Sequence, residues 1–309
     1  MHNALTIDVE DYFQVTAFAG RVKMADWDNF PIRARENTLR ILELLETRSI
    51  RATFFILGWL ANRLPDLVRE IRSRGHEIAC HGYSHQLVYE IGRERFRQDI
   101  RRSKAILEDI TGMAVCGYRA PSYSITGRSL WAHEILVEEG FTFDSSIFPI
   151  VHDIYGIPGG NRFIHDIETK SGRLREFPIT TLPLQFGRRK WTLPVAGGGY
   201  LRLLPAQLVA WAIRRVNEKE LQPAVVYFHP WEIDPGQPRI KAGLKSSFRH
   251  YLNLEQMEGK VRYLLDNLKF TSMGEVLQQE IIGSGSDAYI NAGRWLPTRN
   301  QGFYRCQSA

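Results

Sequence analysis

Gly75-His76-Glu77-Ile78-Ala79-Cys80-His81-Gly82-Tyr83-Ser84-His85 reads as a glycine stop, a short strand and two imidazoles four residues apart. The segment before it, Leu64 to Arg74, has helical periodicity, accepts Pro65 in its first turn and ends at Gly75. Helix, turn, strand and a polar cluster at the strand end make one unit of an alternating α/β chain. Taken as a helical turn, the spacing of His81 and His85 sets both rings on one face, about 5–6 Å apart at Cβ. A cation about 2.0–2.1 Å from each ring is then within reach. A catalytic metal commonly has a third protein ligand and an open position, so the pair sends the search elsewhere in the chain.

The same alternation runs outward in both directions. Upstream, Ala4 to Val9 is a buried strand, Glu36 to Thr47 a helix with Leu39, Leu42 and Leu45 on one side, and Arg51 to Leu57 a strand stopped by Gly58. Downstream come a helix at Glu94 to Ile110, a strand near Val115 to Arg119, a helix at Ser129 to Glu139 and a strand through Phe141 to Asp144. Between Ile147 and Arg175, Pro149, Pro158, Gly159, Gly160 and Gly172 predict a loop-rich insertion. Glu176 to Thr180 reads as a strand, Gly197-Gly198-Gly199 as a tight loop, Pro205 to Val216 as a helix, and Pro223 to Phe228 as a strand that delivers His229. The triple glycine lacks the lysine-serine ending or the spacing of a phosphate loop. Beyond it, Pro235 to Phe248 reads as irregular, Gly259 to Leu268 as helical and the last twenty or so residues as loosely held. Such a chain predicts an α/β fold with a parallel sheet or barrel, and barrels set their chemistry at strand C-terminal ends. Asp8, Glu10, His81, Arg119 and Asp144 all end or follow predicted strands.

The 309 residues are 44% hydrophobic, enough for a substantial core, and no apolar run reaches the length of a membrane span. With no signal-like start, the expected location is cytoplasmic. Three cysteines, Cys80, Cys116 and Cys306, without CxxC spacing point to reduced thiols. The net charge of +6 suits an acidic polymer or an anionic membrane surface. Its densest patch, Arg93 to Arg102, has Phe96 and Ile100 at helical spacing and reads as the solvated face of an amphipathic helix. No nucleic-acid-binding motif is present.

Thr6-Ile7-Asp8-Val9-Glu10-Asp11 gathers three acids at the mouth of the first strand, a costly cluster without a cation to offset it. At period two Asp8 and Glu10 share a face, which makes Glu10 the candidate third ligand and leaves Asp8 as a base. Two histidines and a carboxylate suit hydrolytic zinc and non-haem iron alike.

Five motifs in order, Thr6 to Asp11, His81 to His85, Arg119-Ala120-Pro121-Ser122-Tyr123, Asp144-Ser145-Ser146 and Tyr227-Phe228-His229-Pro230, resemble those of polysaccharide deacetylases with a NodB-type domain. Phe228 to Pro235 and Phe248 to Asn253 further resemble the branch associated with exosortase and exopolysaccharide biosynthesis. The resemblance implies a distorted (β/α)7 barrel over residues 1–235, including a loop-rich insertion at 147–200, then a family-specific extension at 236–285 and a flexible tail at 286–309. It implies removal of acetyl from an N-acetylated amino sugar of a polysaccharide or oligosaccharide. It further implies a divalent metal ion, zinc being the expected one, and peripheral association with membrane-bound biosynthetic machinery at the inner face of the membrane.

Carried over residue by residue, His81, His85 and an acid of the first motif hold the metal and Asp8 is the general base. Arg119 orients that base, His229 is the general acid, and Asp144 holds or tunes His229. Val9 stands where an aspartate is common in the family, so the metal carboxylate is Glu10 or Asp11. Gly82 replaces the Ser or Thr that braces the histidine loop in many relatives. Tyr12, Tyr123, Trp191 and Trp231 are the candidate faces for sugar rings. Two alternatives stand beside this reading: a cyclic-amide hydrolase on the same scaffold and a non-catalytic carbohydrate-binding component.

Overall fold

A run of seven consecutive buried residues, Asn3–Val9, forms the central strand β1. The structure, a computed structural model, describes residues 1–186, 189–284, 296–297 and 304–305. From β1 the chain continues through helix α1 (Ala34–Glu46), strand β2 (Thr53–Ile56), helices α2 (Gly58–Arg63) and α3 (Pro65–Ser73), and strand β3 (Glu77–Cys80). Helix α4 (Val88–Thr111), β4 (Gly117–Tyr118), α5 (Ala132–Glu138) and β5 (Phe143–Asp144) complete the first half. Every one of these strands pairs in parallel with its neighbour. That requires a crossover after each strand and leaves the strand C-terminal ends together on one side.

The second half departs from the sequence reading in several places. The expected loop-rich stretch contains an antiparallel pair, β6 (His165–Thr169) and β7 (Gly172–Glu176), and β7 extends the sheet beside β5. The strand expected at Glu176 to Thr180 therefore ends where it was to begin. The following residues run on toward the far edge, where the Thr180 N–H donates to the Val225 carbonyl at 3.4 Å. A separate hairpin follows, β8 (Thr181–Phe186) with β9 (Arg189–Pro194). Gly198 and Gly199 then open helix α6 (Gly198–Leu203), ahead of α7 (Ala206–Arg215) and β10 (Val225–Phe228).

Strand β10 pairs with β1, giving the sheet order β10-β1-β2-β3-β4-β5-β7-β6. A bridge from Gly197 to Tyr227 and the Thr180 bond bring the ends of this order toward one another, so the sheet is a distorted barrel. A Cβ on Gly197 would stand 2.2 Å from the Tyr227 carbonyl oxygen, so the glycine serves the close approach of two backbones.

After residue 235 the chain is more ordered than its composition suggests, with α8 (Leu244–Tyr251), α9 (Leu254–Asn267), β11 (Phe270–Thr271) and α10 (Met273–Ser284). Strand β11 pairs in parallel with β1 and α9 packs on α7, so this segment is built into the barrel wall. The expected flexible tail lies outside the described residues apart from a short antiparallel pair, β12 (Leu296–Pro297) and β13 (Tyr304–Arg305). Among the described residues no helix is long and apolar enough to cross a membrane.

Candidate metal centre and active site

The histidine pair lies on an irregular loop and not on the helical turn expected from its spacing. His81 follows β3, and the chain then turns through positive φ at Gly82 (72°) and at His85 (50°). What fixes this loop is Asp99 of α4, whose carboxylate accepts the N–H of Tyr83 at 2.7 Å, the N–H of Ser84 at 3.1 Å and the Ser84 hydroxyl. A Cβ at residue 82 would sit 2.8 Å from Asp99 Oδ2. Glycine is therefore required at this position, and the Asp99 carboxylate braces the loop. The two rings meet edge to face with centroids 5.6 Å apart. Nδ1–H of His81 donates to the Arg119 carbonyl at 2.8 Å, which leaves Nε2 as the ligating atom. Burial pushes the His81 imidazole down to about 4, so it is neutral and able to bind a cation.

The acids of the first motif separate into three roles. Glu10 enters the histidine pair: its Oε2 is buried without a hydrogen bond and lies 2.5 Å from His85 Nε2. Burial alone would raise its pKa, but the imidazoles of His85 and His229 outweigh that and hold it well below the usual carboxylate range. Asp11 faces the other way, with Oδ2 accepting the N–H groups of Arg33 (2.7 Å) and Ala34 (2.8 Å) at the start of α1 and Oδ1 that of Tyr12. It caps a helix. Asp8, 2% exposed, receives Arg119 Nη1 on Oδ1 at 2.6 Å and presents Oδ2 to His229 Nε2 at 3.9 Å.

Arg119 is wholly buried and bonded at every nitrogen: Nε to the Ser145 carbonyl, Nη2 to Ser145 Oγ, and Nη1 to Thr6 Oγ1 and Asp8. A planar fork held on three sides fixes the Asp8 carboxylate in place.

His229 follows β10, and Pro230 turns the chain so that Glu232, three residues on, comes back under it. Glu232 Oε2 accepts the His229 Nδ1–H at 2.9 Å, and Oε1 accepts Arg202 Nε at 2.6 Å. Burial would lower the His229 pKa, but Glu10 and Glu232 together raise it to about 9, so the ring carries a proton at neutral pH. The same interactions pull Glu232 down to about 2 against its own burial.

Asp144 was expected to hold or tune His229, and the carboxylate bonded to the ring is that of Glu232 instead. Asp144 bonds Ser146 and lies beside Glu176 and His133, and no hydrogen bond or ion pair among the described residues joins it to His229. Trp231 is buried and donates its Nε1–H to Glu10 Oε1 at 3.1 Å, while stacked between His229 and His250. Its indole lines the cleft and braces the candidate ligand. Tyr12 is completely buried among Phe13 and Phe30, which removes it as a sugar platform. Trp191 is exposed on β9 beside Leu184, away from the cleft lining. Tyr123 does line the cleft, edge-on to Tyr227.

The cleft is a cavity of about 610 Å³ over the strand ends, with Asp8, Glu10, His81, His85 and His229 at its base. Tyr155 and Tyr200 form part of its wall, with Phe248 and Arg249 of α8 at the rim. Glu10, His81 and His85 offer ligand atoms within 4.8 Å of one another. A buried carboxylate oxygen without a hydrogen bond, against two imidazoles, is the donor set a divalent cation takes. The triad fits such an ion.

Residues 20–136, which include the histidine loop and Arg119, match the family model for polysaccharide deacetylases. That match takes in well under half of the chain. Asp8, Glu10 and Asp11 precede that match. His229 and Glu232 fall in a second match, over residues 145–278, to a domain of unknown function, DUF3473. A peptidoglycan-N-acetylglucosamine deacetylase of Bacillus cereus is 35% identical over 100 residues, 32% of this chain and 36% of that protein. The chain thus spans little more than a third of that relative. Two solved structures share the fold over most of both chains. A polysaccharide deacetylase crystal structure from Mycobacterium smegmatis aligns with TM-score 0.57 and 20% identity, covering 91% of this chain and 90% of that one. An allantoinase aligns with TM-score 0.57 and 12% identity, covering 90% and 89%. Both likenesses concern the fold alone.

Proposed function

We propose that this chain is a metal-dependent N-deacetylase that removes acetyl groups from the amino sugars of a glycan. The observation that carries the reading is the convergence of Glu10, His81 and His85 at the base of a cleft, with Asp8 and His229 flanking them. Zinc is the expected ion, because two imidazoles and a carboxylate with an open position are its usual hydrolytic set. A cation held there supplies Lewis-acid polarisation of an acetyl carbonyl and acidifies a water molecule.

The chain's own residues supply the rest. Asp8, with Oδ1 pinned by Arg119, has Oδ2 available to accept the proton of a nucleophilic water. His229 is kept charged by Glu10 and Glu232 and donates a proton to the departing amine, which would otherwise be a poor leaving group. The aromatic wall of Tyr123, Tyr155 and Tyr227 limits water around the reacting amide.

A cleft of about 610 Å³ with an open rim suits a segment of polymer better than a small ring, and the family match points the same way. We assign the substrate to N-acetylated polysaccharides or their oligosaccharide intermediates. From the sequence resemblance we place the step in assembly of an exported polysaccharide at the inner face of the membrane. Acetate release from N-acetylglucosamine oligomers, measured beside ring opening of cyclic ureides, tests this reading. Acetate release without ring opening supports it, ring opening alone replaces it with the cyclic-amide reading, and silence on both favours the binding component.

A further inference from the structure

Asp144 and Glu176 end the neighbouring parallel strands β5 and β7 and are directly opposite in register. Both carboxyl groups are completely buried. Each has one oxygen tied down: Asp144 Oδ1 accepts the Ser146 hydroxyl at 2.6 Å, and Glu176 Oε1 accepts the Ile147 N–H at 2.9 Å. The second oxygens, Asp144 Oδ2 and Glu176 Oε2, have no hydrogen-bonding partner. One carboxylate oxygen of each acid and one ring nitrogen of His133 lie within 4.8 Å of one another, and His133 Nε2 is itself 3.7 Å from Asp144 Oδ2.

Among the described residues no side-chain cation is bonded to this pair. Arg119 is near, but its nitrogens are committed to Ser145, Thr6 and Asp8. His133 stands 3.7 Å from Asp144 Oδ2, and burial brings its imidazole down to about 4, which leaves it neutral. Arg119 from the end of β4, Tyr118 of β4 and His133 of α5 face the carboxyls, and His165 of β6 lies behind His133. Two ionised carboxylates side by side in such surroundings would repel strongly. One proton between the two orphaned oxygens satisfies both with a single short hydrogen bond.

We propose that Glu176 is a protonated carboxylic acid donating to the Asp144 carboxylate, and that this proton-bridged pair positions Arg119 against Asp8. Burial raises both groups, Glu176 the more because Asp144 lies against it. The structural link is continuous. Asp144 anchors Ser146, whose hydroxyl accepts the Ala120 N–H at 2.8 Å, and the intervening Ser145 makes two of the contacts that hold Arg119. Asp144 and Glu176 touch no reacting atom, so theirs is a positioning role.

The experiment compares Glu176→Gln, Glu176→Ala and the unaltered protein by infrared spectroscopy in heavy water at neutral pH, by metal analysis and by deacetylation kinetics. The proposal requires a protonated-carboxyl band in the unaltered protein that Glu176→Gln removes. It also requires that Glu176→Gln, a neutral donor of the same shape, keep kcat within about threefold while Glu176→Ala loses about tenfold or more, the scale of one lost buried hydrogen bond. An unchanged band in Glu176→Gln overturns it, as does a kcat in Glu176→Gln as low as in Glu176→Ala. So does a metal equivalent that survives His81→Ala and disappears in His133→Ala, because a cation would then occupy the proton's place. The kinetic arm rests on Asp8 acting as the base. The infrared arm does not, and it stands even if the chain deacetylates nothing.

Discussion

Replacing Glu232 with Gln removes one negative charge from beneath His229 and changes almost no volume. Among the described residues Glu232 supplies the carboxylate hydrogen bond to the His229 ring, at 2.9 Å from Nδ1, and is itself held by Arg202 at 2.6 Å. A hydrogen bond between charged groups is worth about 1.5–3 kcal/mol, and each 1.4 kcal/mol is about tenfold in rate. Loss of that support from the protonated ring lowers kcat by about 10–100-fold, inside the range expected for removing a general acid. Glu10, His81 and His85 are untouched, so metal content stays as it was. The assay is acetate release from N-acetylglucosamine oligomers together with metal analysis of the same preparation. A Glu232→Gln protein with full kcat and full metal would refute the assignment of Glu232 as the partner of His229. A fall in metal in step with activity would show that Glu232 acts through the ligands instead.

Asp8→Asn is expected to keep its metal and lose turnover by about 100-fold or more, the scale of general-base catalysis; acetate release from a metal-loaded sample checks it. Gly82→Ala forces a Cβ against Asp99 Oδ2 at 2.8 Å on a backbone with φ of 72°. It should cost about 1–3 kcal/mol of stability by urea unfolding and weaken metal affinity through the distorted loop. His76, remote from the cleft, accepts the Ala52 N–H at 3.2 Å, and burial lowers its pKa from 6.5 to about 4. Between those values the unfolded chain takes up a proton that the folded one refuses. Stability from this group is complete above pH 6.5 and falls with acidification, by at most about 1.4 kcal/mol per pH unit. His76→Asn should flatten that slope in unfolding measured at pH 7, 6 and 5.

The barrel was legible because its first half obeys local rules: Gly75 and Gly112 stop helices, and strand-length apolar runs follow them. The β6–β7 pair carried a weaker signal, the alternation of Ile167 and Leu174 with charged neighbours around Lys170-Ser171, which the surrounding prolines and glycines masked. Helix α8 lies in a basic stretch and packs against the distant Thr16–Phe18 turn, a contact that no local pattern announces. Within the site, the identity of Asp8, Glu10, His81, His85, Arg119 and His229 could be read from strand ends and motif order. Their second contacts could not. Glu232 was visible as a carboxylate three residues after His229, but only the turn made by Pro230 brings it onto the ring. Tyr12 was mistaken for a sugar platform because an aromatic beside a motif is equally suited to bracing it from within the core.

Zinc titration by equilibrium dialysis, comparing the unaltered protein with Glu10→Ala and Asp11→Ala, addresses the central claim most directly. The account predicts one tightly bound ion in the unaltered protein, its loss in Glu10→Ala and its retention in Asp11→Ala, which forfeits only the cap of α1. Undiminished binding in Glu10→Ala would contradict it.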